Sequence, residues 1–155
     1  MTDSSDPLRL SNQACFALYA AGLAMNRVYR PLLEAMGLTY PQYLTLLLLW
    51  EQDDRTLKDL GERLGLDSGT LTPLLKRMEG QGLITRARDA DDERLLRVRL
   101  TSQGSALQEQ ARCLPATILE SCGWTRERLA QLRGELNALR DALNKAADRS
   151  RRAQE

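Results

Sequence analysis

No histidine occurs among the 155 residues, and the three cysteines, Cys15, Cys113 and Cys122, are too few and too widely spaced for a disulfide scaffold. Zinc binding and imidazole-based acid–base catalysis are therefore poor assignments, and neither a metal nor a cofactor is expected. A glycine-rich phosphate loop, internal repeats and low-complexity tracts are missing as well. No apolar run approaches the roughly 18 residues of a membrane span, and MTDSSDPLRL at the N-terminus has no apolar signal core, so a cytoplasmic location away from membranes is expected. Excess charge of one sign is also absent: 22 Lys and Arg stand against 21 Asp and Glu, a net charge of +1. That balance gives no overall attraction to nucleic acid, so affinity for a polyanion would have to come from charge placed locally.

With 43% hydrophobic and 28% charged residues, the chain is long enough to bury a core. Its organising stretch is Leu57 to Leu100. Leu71, Leu74, Leu75 and Met78 recur at the spacing of one buried helix face, leaving Ser68, Thr70, Thr72, Lys76 and Arg77 for the other faces. Leu57, Leu60 and Leu64 mark a shorter helix before it, and the break GLDSG makes a tight turn between the two. Pro73 is expected in the first turn of the second helix, whose start falls between Asp67 and Thr70. Ser68 and Thr70 then present hydroxyls and backbone amides at the helix entrance, suited to phosphate and base-edge contacts. After Gly82, Leu96, Val98 and Leu100 alternate with Arg97 and Arg99 beside the polar tip Asp89 to Glu93, which reads as a two-stranded ribbon. Helix, turn, helix and hairpin in that order make a winged helix, whose second helix enters a DNA major groove while the hairpin reaches a neighbouring minor groove. The local cations are Lys76, Arg77, Arg86, Arg88, Arg94, Arg97 and Arg99. Six acidic residues between Asp67 and Glu93 are mixed among them, so by count alone an ordinary mixed surface reads equally well.

Residues 1 to 10 read as a loose arm, with Ser11 or Asn12 capping a first helix that Gly37 stops near Met36. Cys15, Leu18, Gly22, Met25, Tyr29, Leu32 and Met36 follow a strict 3,4,3,4 spacing, the seam of a helix that meets another helix. Cys15 falls near the first turn, where the helix dipole favours a thiolate; the spacing equally allows a buried structural cysteine. Tyr29 shares that stripe about 21 Å further along the axis, too far to touch the thiol of its own helix. Two copies crossing antiparallel would bring Tyr29 of one towards Cys15 of the other. LTYPQYLTLLLLWEQDD follows, a core helix capped by Thr39 with Pro41 in its first turn; Tyr40 at its entrance either packs there or serves a site. Beyond Thr101 a helix from about Ser102 to Ser121 is expected to bend at Pro115. A last helix from about Thr125 to Arg149 repeats the 3,4,3,4 seam through Leu129, Leu132, Leu136, Leu139 and Leu143, followed by a frayed, charged tail. The fold class is thus mainly α with a small β-hairpin wing. An N-terminal arm and first dimerisation helix occupy 1–36, a winged helix-turn-helix 37–101, and C-terminal dimerisation helices with the tail 102–155. A homodimer presenting two DNA readers about one helical turn apart is the economical arrangement.

Over nearly its full length the sequence resembles the MarR family of bacterial winged-helix repressors. Asp92 and Arg94 in DDERLLRVRLTSQG look like that family's Asp-x-Arg signature followed by its Leu-Thr-x-x-Gly. NQACFALY, YRPLL, LTYPQYLTLLLLWE and LDSGTLTPLLKRMEGQGLITR resemble, more narrowly, the organic hydroperoxide resistance regulators. The resemblance implies a repressor, not an enzyme, that leaves a pseudo-palindromic double-stranded DNA operator of a peroxidase gene when an organic hydroperoxide oxidises its reactive thiol. It makes Cys15 that thiol, with Tyr29 and Tyr40 of the partner subunit reaching it. It places Ser68, Thr70, Lys76 and Arg77 in or near the DNA face, Arg94 in the minor groove with Asp92 orienting it, and Arg86 near phosphates of the wing. Two kinds of regulator occur in that group, and Cys113 and Cys122 in the C-terminal half make this chain look like the kind with its own resolving cysteine. Cys122, next to Gly123 at a helix end, is the preferred resolver. Two other readings compete: a MarR-type repressor released by a small ligand with the cysteine incidental, and a thiol peroxidase.

Overall fold

In the computed structural model, residues 6–153 are described. Residues 1–5 of the expected arm lie outside them. From Asp6 the chain is tied locally, because the Asp6 carboxylate accepts from Leu8 N–H at 2.9 Å and its carbonyl accepts from the Asn12 side chain at 2.8 Å. That engagement takes Asn12 away from the cap expected of it: Leu10–Asn12 form a single 3-10 turn and Gln13 stands at the N-cap of α1, Ala14–Glu34. The far end closes as expected. Gly37, at φ +70°, lets Leu38 N–H return to the Leu33 carbonyl at 2.9 Å and its own N–H to Glu34 at 3.0 Å, the left-handed stop that glycine takes without a Cβ clash.

Helix α2, Tyr40–Glu51, starts on Thr39 with Pro41 in its first turn. It is followed by a two-residue strand β1, Arg55–Thr56, then α3, Leu57–Leu64, and α4, Ser68–Gly80. Asp67 caps α4 by accepting the Thr70 N–H at 2.8 Å, which fixes the helix start upstream of Pro73. Pro73 is consequently inside the helix, in its second turn rather than its first. Leu71, Leu74, Leu75 and Met78 are all buried, as their spacing requires.

Strands β2, Ile84–Arg88, and β3, Leu96–Leu100, pair antiparallel, with Arg86 opposite Val98. The expected two-stranded ribbon is in fact a three-stranded sheet of order β1-β3-β2, because Arg55 pairs with Val98 and Thr56 with Arg97. Two residues are too short to show any alternation, which is why β1 leaves no trace in the sequence. Leu33, Leu46, Leu49, Leu60, Leu71, Leu75, Met78, Ile84 and Val98 make the centre of the core.

The expected bend at Pro115 is a full break. Helix α5, Ser102–Ala111, ends, a turn intervenes, and α6 runs over Leu114–Cys122. Proline lacks the N–H that would reach the Ala111 carbonyl and its ring clashes there, so the helix restarts instead of continuing. The chain divides into two compact units, Met1–Leu114 and Pro115–Glu155. In the second, α7 runs over Arg126–Arg152 from a Thr125 cap, so the expected frayed tail is helical as far as Arg152.

Candidate functional site

The outer surface of α4 carries the residues expected to read DNA. Ser68, Thr70, Lys76 and Arg77 are exposed, on the faces opposite the buried leucines. Of the amides at the entrance, that of Thr70 is taken by the Asp67 cap, so Thr70 offers only its hydroxyl outward.

The wing tip is held by a chain of charge-assisted bonds. Asp92 accepts from Arg94 three times, from the backbone N–H and Nε at Oδ1 (3.1 and 3.0 Å) and from Nη2 at Oδ2 (3.2 Å). The Arg94 side chain is nevertheless 90% exposed. A carboxylate therefore aims a guanidinium that it leaves open to a partner. Asp89 turns the tip, accepting the N–H groups of Asp91 and Asp92 at 2.9 and 3.1 Å on one oxygen and Arg97 Nε on the other. Led by the Arg97 bond, those donors hold the Asp89 carboxyl down to about 2. Arg94 likewise keeps Asp92 below the usual carboxylate range.

At its other end Arg97 donates to the Asp54 carbonyl at 2.9 Å, while the Asp54 carboxylate pairs with Arg99 Nε at 3.0 Å. Asp54 sits at φ +59°, a left-handed position that Asp tolerates better than most residues. Beside it Arg55, 6% exposed, donates to the Leu48 carbonyl and pairs with Asp59 at 2.7 Å. These braces, like Glu79, escaped the sequence reading. Glu79 accepts the Arg86 backbone N–H at 3.0 Å, Nε at 3.1 Å and Nη2 at 2.7 Å. Arg86 is thereby engaged against the end of α4, with its charge offset.

The signature Leu100-Thr101-Ser102-Gln103-Gly104 has a steric meaning here. Thr101 caps α5 by accepting the Gly104 N–H at 3.1 Å. A Cβ built on Gly104 would fall 2.0 Å from the Leu83 carbonyl oxygen, so nothing larger than hydrogen fits. The Gly104 carbonyl also accepts the Trp50 indole N–H at 3.0 Å.

The thiol region lies at the other end of α1. Cys15 is the second residue of the helix and is exposed, so it is not a core cysteine of its own chain. Cys113 and Cys122 are exposed too. Leu18 and Met25 of the expected α1 seam are also exposed, as are Leu136, Leu139 and Leu143 of the α7 seam, and Phe16, Leu23 and Val28 elsewhere on α1 add exposed apolar surface. The Tyr29 and Tyr40 rings pack tilted at 55° with centroids 4.9 Å apart, and Tyr43 joins them at 6.0 and 6.3 Å. Burial, then the neighbouring Tyr40 and Tyr43, pushes the Tyr29 phenol up to about 12. Burial raises Tyr40 as well. Both are therefore hydroxyl donors at neutral pH. Together with Asn26, Arg30, Leu33, Glu34, Leu38 and Thr39 they line a cleft of about 360 Å³.

A helix-turn-helix with an exposed polar second helix, followed by a hairpin that aims an exposed arginine, is the architecture of a winged-helix DNA-binding regulator. The MarR family profile matches residues 38–96. The chain is 50% identical over 144 residues to the organic hydroperoxide resistance transcriptional regulator of Bacillus subtilis, covering 93% of this chain and 98% of that one. It therefore belongs to the MarR family and is a DNA-binding transcriptional regulator of that type. Among solved structures it resembles AbfR of Staphylococcus epidermidis. Reduced AbfR bound to DNA has a TM-score of 0.73 at 37% identity, covering 87% of this chain and 94% of that one. Disulfide-formed AbfR has a TM-score of 0.60 at 37% identity, covering 84% and 92%. Among the described residues, no group of side chains is suited to a metal ion and no helix is long and apolar enough to cross a membrane.

Proposed function

We propose that this chain is a homodimeric repressor that holds a pseudo-palindromic double-stranded DNA operator when reduced and releases it when an organic hydroperoxide oxidises Cys15. The observation that carries the reading is an exposed thiol in the first turn of α1, in a chain half identical to an organic hydroperoxide resistance regulator. The Cys15 thiolate attacks one peroxide oxygen, the O–O bond breaks, and the alkoxide leaves and is protonated to the alcohol. The sulfur, oxidised by two electrons, is then a sulfenic acid. Tyr29 and Tyr40 of the partner subunit supply the hydroxyl donors at that sulfur. The Cys122 thiol displaces water from the sulfenic acid to give a disulfide, which needs Cα atoms within about 7 Å; a reduced dimer that holds them further apart has to rearrange its helices to close the bond.

The uncovered apolar residues of α1 and α7 support a second copy as the element that completes the site. Ser68, Thr70, Lys76 and Arg77 contact the major groove, Arg94 enters the minor groove as Asp92 aims it, and Arg86 holds the wing on α4. The titratable groups of the tyrosine cleft act by binding and orienting, not by turnover. A repressor released by a small ligand is the second reading, and the 360 Å³ cleft beside Tyr29 is what favours it.

The test is operator binding by wild type and by the three single Cys→Ser variants, before and after cumene hydroperoxide and then dithiothreitol. Wild type should release and rebind, while Cys15→Ser stays bound throughout. Normal peroxide release by Cys15→Ser removes the thiol from the mechanism and leaves the small-ligand reading. Many peroxide turnovers without operator binding would identify a peroxidase instead.

A further inference from the structure

The tyrosine corner and the DNA-reading helix are joined by a relay of three hydrogen bonds through two glutamine side chains. Gln42, 4% exposed, lies in the first turn of α2, two residues after Tyr40. Its Oε1 accepts the Thr39 N–H at 2.9 Å and its Nε2 donates to Gln81 Oε1 at 2.7 Å. Gln81 Nε2 in turn donates to the Gly37 carbonyl at 3.2 Å. Gln81 also terminates α4, its backbone N–H closing the last turn on the Arg77 carbonyl at 2.9 Å.

The direction of this chain of bonds is forced. Thr39 offers only an N–H to Gln42, so Gln42 must turn its oxygen there and its amino group to Gln81. Gln81 must then present its oxygen inward, which leaves its amino group for the Gly37 carbonyl. Flipping either amide sets donor against donor. Gln42 is buried and its amide is costly to leave half-paired, so it holds the exposed Gln81 and the two side chains move together or the relay breaks. Both of its ends, Thr39 and Gly37, lie at the α1–α2 corner, where the Tyr29 and Tyr40 rings meet, and between them Gln81 closes the final turn of α4, which carries Arg77.

We propose that Gln42 and Gln81 are positioning residues that transmit the setting of the Tyr29–Tyr40 corner to the DNA-reading helix. What displaces the corner rests on the redox reading; the mechanical link does not. When the tyrosines shift, the first turn of α2 carries Gln42 with it, Gln81 follows, and the last turn of α4 is re-aimed beneath Arg77. Loss of the link leaves the sensor and the reader each intact but independent.

The experiment is a double-mutant cycle on the reduced dimer, reading operator affinity for wild type, Tyr40→Ala, Gln81→Leu and the double variant, with thermal melts to confirm folding. Tyr40→Ala is expected to change operator affinity, and Gln81→Leu to abolish most of that change, so that the two effects depart from a simple product by more than about twofold. Gln81→Glu keeps an acceptor facing Gln42 and loses only the bond to the Gly37 carbonyl, so it should preserve more of the coupling than Gln81→Leu does. Effects that multiply to within about twofold, wild-type affinity in Tyr40→Ala, or equal loss of coupling in both Gln81 variants each overturn the relay. A parallel arm with cumene hydroperoxide separates the two ideas. Wild type that stays on the operator after oxidation sinks the redox reading, while the cycle still decides the relay.

Discussion

Replacing Arg94 by Ala should flatten the salt dependence of operator binding by a calculable amount. The side chain is 90% exposed, its fork aimed by Asp92 at 3.0 and 3.2 Å, and neither oxygen of Asp92 buries it. Each cation set against the phosphate backbone contributes about 0.9 to the slope of log affinity against log salt. A dimer presents two wings, so Arg94→Ala should lower the slope by about 1.8. Between about 50 and 200 mM salt, a span of roughly 0.6 log units, the variant should therefore lose about twelvefold less affinity than wild type does. Asp92→Asn is the matched control. It keeps the cation but weakens the fork that orients it, so the slope should not fall even where operator preference relaxes. Fluorescence anisotropy across a salt series measures both. An unchanged slope in Arg94→Ala, or an equal drop in Asp92→Asn, would refute the assignment of the wing to DNA.

Gly104→Ala should destabilise the fold by about 3 kcal/mol, the upper end of overpacking costs, because its methyl would meet the Leu83 carbonyl, a backbone atom, at 2.0 Å; a melting temperature within a degree or two of wild type would contradict this. Asp67→Ala removes the cap of α4 and should cost about 1 kcal/mol in urea unfolding. Asp89 is held at about 2 in the folded chain, chiefly by Arg97. A depressed carboxyl stabilises the fold above its unfolded value near 4 and loses that contribution as pH falls towards 2. Wing amides of wild type should thus exchange faster as pH drops through that window, relative to the intrinsic rate, whereas Asp89→Asn should show a smaller step, the remainder coming from Asp92.

How much of this was legible in the sequence depends on the range of each interaction. The buried stripe of α4 and the alternation in β3 repeat every few residues, so periodicity alone exposes them, and the Asp92–Arg94 fork spans only two positions. Strand β1 has two residues and one pairing partner, and could not announce itself. Arg97 reaches the Asp54 carbonyl across 43 positions and Gln42 reaches Gln81 across 39. A single sequence contains no periodic signal for polar pairs at that separation, since any Arg or Gln reads as surface until the fold is known. Pro73 and Pro115 show the complementary error. The proline rule alone puts Pro73 in a first turn and a bend at Pro115, whereas the Asp67 cap starts α4 further upstream and the helix stops before Pro115 rather than bending.

The same distinction explains why spacing alone does not decide between a buried structural cysteine and a reactive one at Cys15. Its 3,4,3,4 stripe fits a covered seam and a reactive surface equally well, because periodicity reports which face a residue occupies and not what covers that face. In the folded chain the stripe changes character along its length: Cys15, Leu18 and Met25 are exposed, whereas Tyr29, Leu32 and Met36 pack against the core. A helix whose apolar stripe is buried at one end only is half inside its own subunit. The exposed half holds the thiol and the covered half holds the tyrosine corner, about 21 Å apart along α1. Direct contact of the sulfur with the tyrosine corner therefore requires another molecule lying along the helix. If that molecule is a second copy of the chain, oxidation at one subunit's sulfur acts on the other subunit's corner, and from there each operator half-site is governed across the twofold axis.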